Sequence, residues 1–266
     1  MDEFGGRLLR RRMTELAELG LVTMDGSVVV PPDLVPVVLL ALGAPVADDG
    51  GAEPVLPRSV GLGRNQPVPT HPVPILQLKV AIQDTKPPVW RRLQLRSDLT
   101  LEQLHGIIQT SFEWLDYHLH EFNAGGRSGT NYGSMDSYDD GFADPFVDPP
   151  QDEAAVTVGQ LLTAEKNYIT YTYDFGDNWR HRITLEKILP FAPDAPAVGC
   201  TGGRGMGPAE DCGGAWGWQN VVAAVNDPSH EEHAEYLEWL GMRRGETLDP
   251  KEFDREALDE ELAELF

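Results

Sequence analysis

His118 and His120 are separated by one residue. Of the residues in this chain, this pair has the side-chain types and the spacing that best suit metal binding. On a β-strand, residues two apart point to the same face with Cα atoms about 6.6–6.8 Å apart, so both imidazoles could bind one ion. The alternative interpretation is structural, with both rings stacked beside Phe122 and hydrogen-bonded to backbone or carboxylate groups. Under the first interpretation, the predicted metal ligands are His118, His120, Asp174 and Glu210. Such a site would activate water for hydrolysis of a phosphoester or an amide.

The wider candidate polar cluster gathers acidic and imidazole side chains from several segments of the chain. Its members are His118, His120, Glu121, Asp174, Asp177, His181, Glu210 and Asp211. Glu210 and Asp211 lie in a glycine-flanked turn ahead of Trp216, where two acids either hold a cation or cap the following helix. The cofactor that these residue types suggest is a divalent metal such as zinc.

Two cysteines and two histidines form an alternative metal-binding set. A closed tetrahedral zinc site would use Cys200, Cys212, His230 and His233. The two histidines lie about one turn apart on a helix, whereas the two cysteines are much further apart than the paired ligands of a zinc finger. The other interpretation is two ordinary thiols of a cytoplasmic protein.

Four common catalytic motifs are absent from the sequence. It contains no G-x-x-x-x-G-K-[ST], no G-x-G-x-x-G after a strand, no G-x-S-x-G and no H-E-x-x-H. Nucleotide binding, hydride transfer, serine hydrolysis and zincin proteolysis therefore lack their usual sequence support.

The composition is that of an acidic globular protein. The 266 residues include 43 acidic and 21 basic side chains, a net charge of −22, and 41% are hydrophobic. Two cysteines are too few for a disulfide framework, the N-terminus lacks a secretory signal, and prolines interrupt the most apolar stretch. We therefore expect a cytoplasmic protein that does not enter a membrane. The negative charge argues against extended nucleic-acid binding unless a local basic patch overcomes it.

Residues 1–43 are expected to form a small helix-hairpin appendage, which a Pro/Gly-rich linker at residues 44–74 joins to the main domain at residues 75–266. A helical apolar spacing followed by the turn at Asp25-Gly26 resembles the end of a winged-helix DNA-binding module. The nucleic-acid contacts would then be Arg7, Arg10, Arg11 and Arg12. The alternative is a packing appendage with a solvated basic turn, because only six residues precede the helix.

Alternating apolar and polar residues predict two antiparallel strands at the start of the main domain, over residues 75–84 and 89–96. A capping box at Thr100 and Gln103 then predicts a helix over residues 100–114. An apolar stripe at helical spacing would pack this helix on the sheet. His105 lies at the edge of the stripe and is interpreted as structural.

Residues 168–189 predict a β-hairpin with one aromatic face and one polar face. With a three-residue loop, the opposing pairs would be Phe175 with Trp179, Asp174 with Arg180, Tyr173 with His181, Thr172 with Arg182 and Tyr171 with Ile183. Asp174 is interpreted as an ion-pair partner of Arg180 or as a carboxylate that orients His181. Asp174, Phe175 and Gly176 repeat the letters of a kinase metal loop, but the other kinase signatures are absent.

The last third is expected to be a long Gly/Pro-rich loop over residues 190–214, followed by three helices. The first helix would cover residues 216–226, and the second would begin at a capping box, Ser229 and Glu232, and end at Gly241. An acidic third helix would begin at Asp249-Pro250.

Six segments follow one another in a recognisable order: PPVWRR, TLEQLHGIIQTSFEW, HLHEF, YTYDFGDNWRHRITLEKIL, AEDCGG with the following WGW, and DPSHEEHAEYLEW. Through them the chain resembles the plasmid pRiA ORF-three-like family over about residues 75–255. The resemblance implies an α+β fold and a protein found on plasmids and, in some members, as a passenger of insertion elements. It implies no particular reaction, substrate or cofactor. Ala209 before Glu210, and Trp218 where tyrosine is common, depart from the family pattern.

The sequence therefore predicts an α+β fold, with an antiparallel or mixed sheet and helices packed on one face. The predicted function is that of a non-enzymatic accessory or interaction protein associated with mobile genetic elements. Its aromatic and acidic surface would bind an unidentified protein partner. The alternative is a metal-dependent hydrolase with a His-x-His and carboxylate site.

Overall fold

The computed structural model of this chain describes residues 73–135, 149–193 and 195–266. The appendage predicted at residues 1–43, with its four arginines, and nearly all of the predicted linker lie outside these residues. Among the helices of the described residues, none is long and apolar enough to cross a membrane.

A mixed sheet of eight strands forms the centre of the described residues. In chain order the strands are β1 (Ile75–Ile82), β2 (Trp90–Arg96), β3 (His120–Ala124), β4 (Thr130–Gly133), β5 (Gln151–Asp152), β6 (Tyr168–Tyr173), β7 (Trp179–Leu189) and β8 (Val198–Arg204). Across the sheet their order is β5-β4-β3-β6-β7-β1-β2-β8. β4 and β5 are parallel, and all other neighbouring strands are antiparallel.

Five α-helices accompany this sheet in the described part of the chain. They are α1 (Leu101–Phe112), α2 (Val158–Leu161), α3 (Gly214–Asn226), α4 (His233–Trp239) and α5 (Arg255–Ala263). The capping box predicted at Thr100 and Gln103 starts α1, because each side chain bonds to the backbone N–H of the other residue. The mixed sheet with helices confirms the predicted α+β class.

One face of the sheet is apolar and buried, because side chains of alternating residues point to opposite faces of a strand. β1 buries Leu76, Leu78 and Val80, while α1 covers this face with its own buried stripe, which includes Leu104 and Ile108. The buried aromatic side chains of the same face are Phe122, Tyr132, Tyr171, Tyr173 and Trp179. The aromatic face predicted for the hairpin is therefore confirmed.

The register predicted for the hairpin is wrong by two residues. Tyr173 pairs with Trp179, not with His181, and Thr172 pairs with Arg180. The reason is a longer turn, which the N–H of Asn178 closes by donating to the carbonyl of Asp174 at 2.6 Å. Because side chains alternate with a period of two, a shift of two residues leaves the side chains of β6 and β7 on their predicted faces. Phe175, predicted to lie on the aromatic face opposite Trp179, is instead exposed in the turn. The predicted Asp174–Arg180 pair is not formed.

The last third also differs from the expectation. Residues 198–204, predicted as loop, form β8 and pair with β2, where Gly203 leaves room for the ring of Phe253. A Cβ atom on Gly203 would lie 2.5 Å from that ring, so the glycine serves close packing rather than a loop. α4 is shorter than predicted and follows Glu232 as its N-cap residue, and α5 begins after Asp254 instead of at Asp249-Pro250.

Candidate functional site

His118 lies in the segment between α1 and β3, which is anchored to the loop after β8. The buried indole N–H of Trp114 donates a hydrogen bond to the carbonyl of Pro208 at 2.8 Å. The backbone N–H of Leu115 donates to a carboxylate oxygen of Glu210 at 2.9 Å. These two contacts between segments distant in sequence bring His118 to the acids of that loop.

The imidazole of His118 faces two carboxylates. Its Nε2 atom lies 3.2 Å from Oδ1 of Asp211 and 3.8 Å from Oδ2 of Asp174. The same Nε2 atom is buried and has no hydrogen-bond partner with acceptable geometry among the described residues. One ligand atom from each of the three side chains lies within 4.8 Å of the others. Three atoms bound to one ion at 2.0–2.2 Å would be about 3.4 Å apart, so modest side-chain shifts would allow ligation.

Asp174 is held in place by the turn of the hairpin. The residue is buried and adopts a left-handed backbone conformation, with φ 53°. Its Oδ1 atom accepts a hydrogen bond from the N–H of Gly176 at 2.8 Å. Since Oδ1 is occupied in this way, Oδ2 is the carboxylate oxygen directed towards His118.

The start of α3 packs against the same hairpin turn. The N–H of Gly213 donates to Oδ2 of Asp177 at 3.0 Å. Gly214 has φ 69°, and a Cβ atom on it would lie 2.4 Å from the carbonyl oxygen of Asp177. Glycine is therefore required where the two segments meet, and Asp177 positions the loop that carries Asp211.

Glu210 and Tyr173 form a hydrogen-bonded pair next to these groups. The hydroxyl of Tyr173 donates to Oε1 of Glu210 and accepts a hydrogen bond from the N–H of Tyr117 at 3.0 Å. Burial raises the pKa of the Glu210 carboxyl above its ordinary value, although hydrogen bonds and His118 oppose this effect. Burial and the Glu210 charge raise the pKa of Tyr173, so its hydroxyl remains a donor.

A second polar cluster surrounds His120. Its ring stacks on that of His105, with centroids 3.6 Å apart, and its Nε2 atom lies 2.8 Å from a carboxylate oxygen of Glu153. His105 contacts Asp116 through Nε2 and the hydroxyl of Tyr171 through Nδ1, both at 2.8 Å. Burial lowers the pKa of His105. These side chains bond to one another in a largely buried network beside β3.

The structure thus divides the metal-ligand set predicted from the sequence. His118 precedes β3 instead of lying on it, so the strand geometry expected for the pair does not apply. His118 meets Asp174 and Asp211, with Glu210 close enough for electrostatic interaction. His120 belongs to the other cluster, where it contacts Glu153 and stacks on His105, and where one ligand atom each from His105, Asp116 and His120 lies within 4.8 Å of the others.

Most of this chain is similar in sequence to known proteins. The model of the family described as plasmid pRiA4b ORF-3-like protein matches residues 74–257. The chain belongs to this family. It is 35% identical over 174 residues to the uncharacterized protein y4hQ of Sinorhizobium fredii (strain NBRC 101917 / NGR234). The matched segment covers 63% of this chain and 81% of that protein.

A solved structure is similar to this plasmid pRiA4b ORF-3-like protein. It is the crystal structure of a protein of unknown function, MM3350, from Methanosarcina mazei Go1. The TM-score is 0.58 at 33% sequence identity, and the match covers 70% of this chain and 97% of that one. These similarities identify the family and leave its reaction and ligand open.

The alternative zinc set is not brought together in this family member. Cys200 lies buried on β8, and Cys212 lies beside the hairpin turn, where burial raises the pKa of its thiol to about 12. His233 bonds through Nδ1 to the carbonyl of Ala224, and neither cysteine joins a metal-ligating group within the described residues.

Two further members of the predicted cluster lie elsewhere on the sheet. Glu121 lies on β3 opposite Thr172, on the polar face, and burial raises its pKa. His181 is fully buried on the apolar face, and its Nδ1 atom lies 3.0 Å from the carbonyl oxygen of Trp179. His181 therefore neither reaches the His118 site nor is oriented by Asp174.

Besides His105, four residues of these clusters were not predicted from the sequence as site residues. Tyr173, Tyr171, Asp116 and Glu153 all hydrogen-bond to histidines or acids of the two clusters. For Tyr171 and Tyr173 the sequence signal was their spacing of two residues in β6, which places both hydroxyl groups on the same face of the strand. Asp116 and Glu153 have no such signal, because the folding of the chain, and not a periodic pattern, brings them to the histidines.

Exposed apolar side chains flank the His118 site along the chain. Tyr117 and Leu119 are the sequence neighbours of His118, Phe175 follows Asp174, and Trp216 lies in the first turn of α3. Trp216 is 80% exposed and Phe175 is 55% exposed. Such a combination of aromatic side chains with a polar cluster is typical of surfaces that bind other molecules.

Proposed function

We propose that this protein binds a divalent metal ion through His118, Asp174 and Asp211 and uses it to hydrolyse a phosphoester or an amide. The observation that supports this proposal is the buried Nε2 atom of His118, which has no hydrogen-bond partner in the described part of the chain and faces two carboxylates. A cation between these groups would give the imidazole a partner and would neutralise two neighbouring negative charges.

The donor set fits such an ion. One imidazole nitrogen and two carboxylate oxygens are ligands that zinc and manganese accept, and three protein ligands leave a position for water. A bound ion would lower the pKa of a water molecule, so that the water could give up a proton and supply the oxygen nucleophile that displaces the leaving group from phosphorus or a carbonyl carbon. Glu210, held by Tyr173 and the N–H of Leu115, is the proposed base that accepts this proton and returns it to the leaving group.

Metal binding is tested by removing two ligands. We expect the purified protein to bind Zn²⁺ or Mn²⁺ with one ion per chain, and the double variant His118→Ala/Asp211→Asn to bind at least about 100-fold more weakly. Isothermal titration with the metal alone and elemental analysis measure this. The matched control is His230→Ala, which removes a histidine of the alternative zinc set and is expected to leave the affinity unchanged.

Glu210 is tested separately from metal binding. Glu210→Gln is expected to keep the metal affinity within about threefold and to lower metal-dependent hydrolysis of bis(p-nitrophenyl) phosphate or a p-nitroanilide by about 100-fold or more. Loss of both properties would assign Glu210 to metal binding rather than to proton transfer. Metal-free protein whose melting temperature is unchanged by a chelator would exclude the hydrolase proposal as a whole.

The second proposal is the accessory or interaction protein predicted from the sequence, acting in association with mobile genetic elements. It is supported by the exposure of Trp216 and Phe175 next to an acidic cluster, which suits a protein partner with apolar and basic side chains. The two proposals differ in their dependence on metal. Partner binding that survives chelation and is lost in Trp216→Ala would favour the interaction function.

A further inference from the structure

The polar face of the central strands carries a group of cations, although the chain as a whole has a net charge of −22. We call it the basic face. It consists of Lys79, Trp90, Arg92, Tyr168, Arg180, Arg182 and Arg204. The strand register places these residues on one side of the sheet, since Lys79 pairs with Arg92 and Arg182 pairs with Ala81.

The cations form a band across the sheet rather than a compact pocket. From β7 to β8 the residues of one transverse row are Arg182, Ala81, Trp90 and Arg204. Neighbouring strands lie about 4.8 Å apart, so Arg182 and Arg204 start from backbone positions roughly 14 Å apart. Ala81, between them, has a side chain too short to rise above its neighbours. A linear polyanion matches such a band better than a small anion does.

Two carboxylates of the described residues pair with cations of the basic face. Glu186 pairs with Arg92 at 2.6 Å, and Asp84 pairs with Arg180 at 2.8 Å. Glu121 lies further out, on β3. No carboxylate of the described residues lies within 4.0 Å of the ammonium or guanidinium groups of Lys79, Arg182 or Arg204. The basic face is therefore a local positive patch, which is the condition for nucleic-acid binding by an acidic chain.

Two aromatic rings lie among the cations. Nζ of Lys79 lies 5.0 Å from the centroid of the Trp90 ring, and the guanidinium carbon of Arg182 lies 3.5 Å above the Tyr168 ring. Tyr168 is 43% exposed. Unpaired bases stack on aromatic rings and on guanidinium planes, while phosphates bind the cations beside them. A duplex hides the faces of its bases and cannot use these rings.

We propose that the basic face binds single-stranded nucleic acid. Phosphates contact Lys79, Arg182 and Arg204, and bases stack against Trp90 and against the Arg182–Tyr168 pair. This site lies on the opposite face of the sheet from the buried aromatic side chains, and it does not depend on a metal ion or on the arginines of residues 7–12.

The test is fluorescence anisotropy of a fluorescein-labelled (dT)12 oligonucleotide with the full chain. We expect the oligonucleotide to bind at low salt. A plot of the logarithm of the association constant against the logarithm of the salt concentration should have a slope near −2, because each of three phosphate contacts contributes about −0.7. Lys79→Glu/Arg182→Glu is expected to weaken binding at least about tenfold. The matched control, Arg243→Glu/Arg244→Glu, changes the net charge equally at exposed positions after α4 and is expected to change affinity less than twofold.

A second variant separates base stacking from charge attraction alone. Trp90→Ala is expected to weaken (dT)12 binding about fivefold or more but to leave heparin binding unchanged. Absence of (dT)12 binding, equal losses in the two double variants, or equal affinity for a duplex would overturn the proposal. The proposal would also be overturned if the variant Arg10→Glu/Arg11→Glu lost (dT)12 binding while the variant Lys79→Glu/Arg182→Glu kept it in full. Circular dichroism of each variant shows whether it is folded.

Discussion

Replacing Arg91 by methionine is expected to lower the free energy of unfolding by about 3–5 kcal/mol. The Arg91 side chain is almost fully buried on the apolar face of β2. Its guanidinium donates to the carbonyl oxygens of Ser111 and Gly205, both at 2.9 Å, and lies 4.2 Å from the centroid of the Phe253 ring. It thus joins the end of α1, the end of β8 and the segment before α5. Methionine fills similar volume but leaves these buried carbonyls without a donor.

Arg92, the next residue along the chain, provides the matched control. Its side chain points to the polar face, is one-third exposed and pairs with Glu186. A salt bridge of this kind contributes about 1 kcal/mol or less, so Arg92→Met is expected to be much milder. Urea unfolding followed by tryptophan fluorescence measures both variants. Equal effects at the two positions would contradict the structural role assigned to Arg91.

The stability of this protein is expected to fall by about 3 kcal/mol between pH 6.5 and pH 4 because of His181 alone. Burial lowers the pKa of His181 from its ordinary value of 6.5 to about 3. In this pH range the unfolded chain binds a proton at His181 that the folded chain does not bind. Stability therefore rises with pH across the range and is lost as the solution becomes acidic, by about 1.4 kcal/mol per pH unit at most.

His181→Phe isolates this contribution. Phenylalanine keeps a ring against Phe112 and Trp114 but cannot be protonated. The variant loses the hydrogen bond to Trp179, a cost that does not vary with pH, so the informative quantity is the slope of unfolding free energy against pH. We expect a smaller slope between pH 6.5 and 4 in His181→Phe and the wild-type slope in the surface control His230→Phe. Identical slopes in the wild type and His181→Phe would disprove the assignment.

Local patterns in the sequence predicted the elements that depend on neighbouring residues. The alternation in β1 and β2 and the capping box of α1 act within a few residues, so each could be identified without knowledge of the fold. The faces of the hairpin were also predictable, because a sheet buries its apolar side chains whatever the turn length. The register was not predictable, since it depends on the backbone of Asp174 and Asn178 in the turn.

The sequence by itself determined the family, the α+β class and which face of the sheet is apolar, because these follow from ordered motifs and from the period of the hydrophobic residues. Only the tertiary structure decided which polar groups meet. His118 joins Asp174 and Asp211 instead of His120 because Trp114 and Leu115 bond to the loop after β8, and Gly214 lets α3 approach the hairpin turn. Contacts of this kind link segments far apart in the chain, and their partners leave no periodic signal in the sequence.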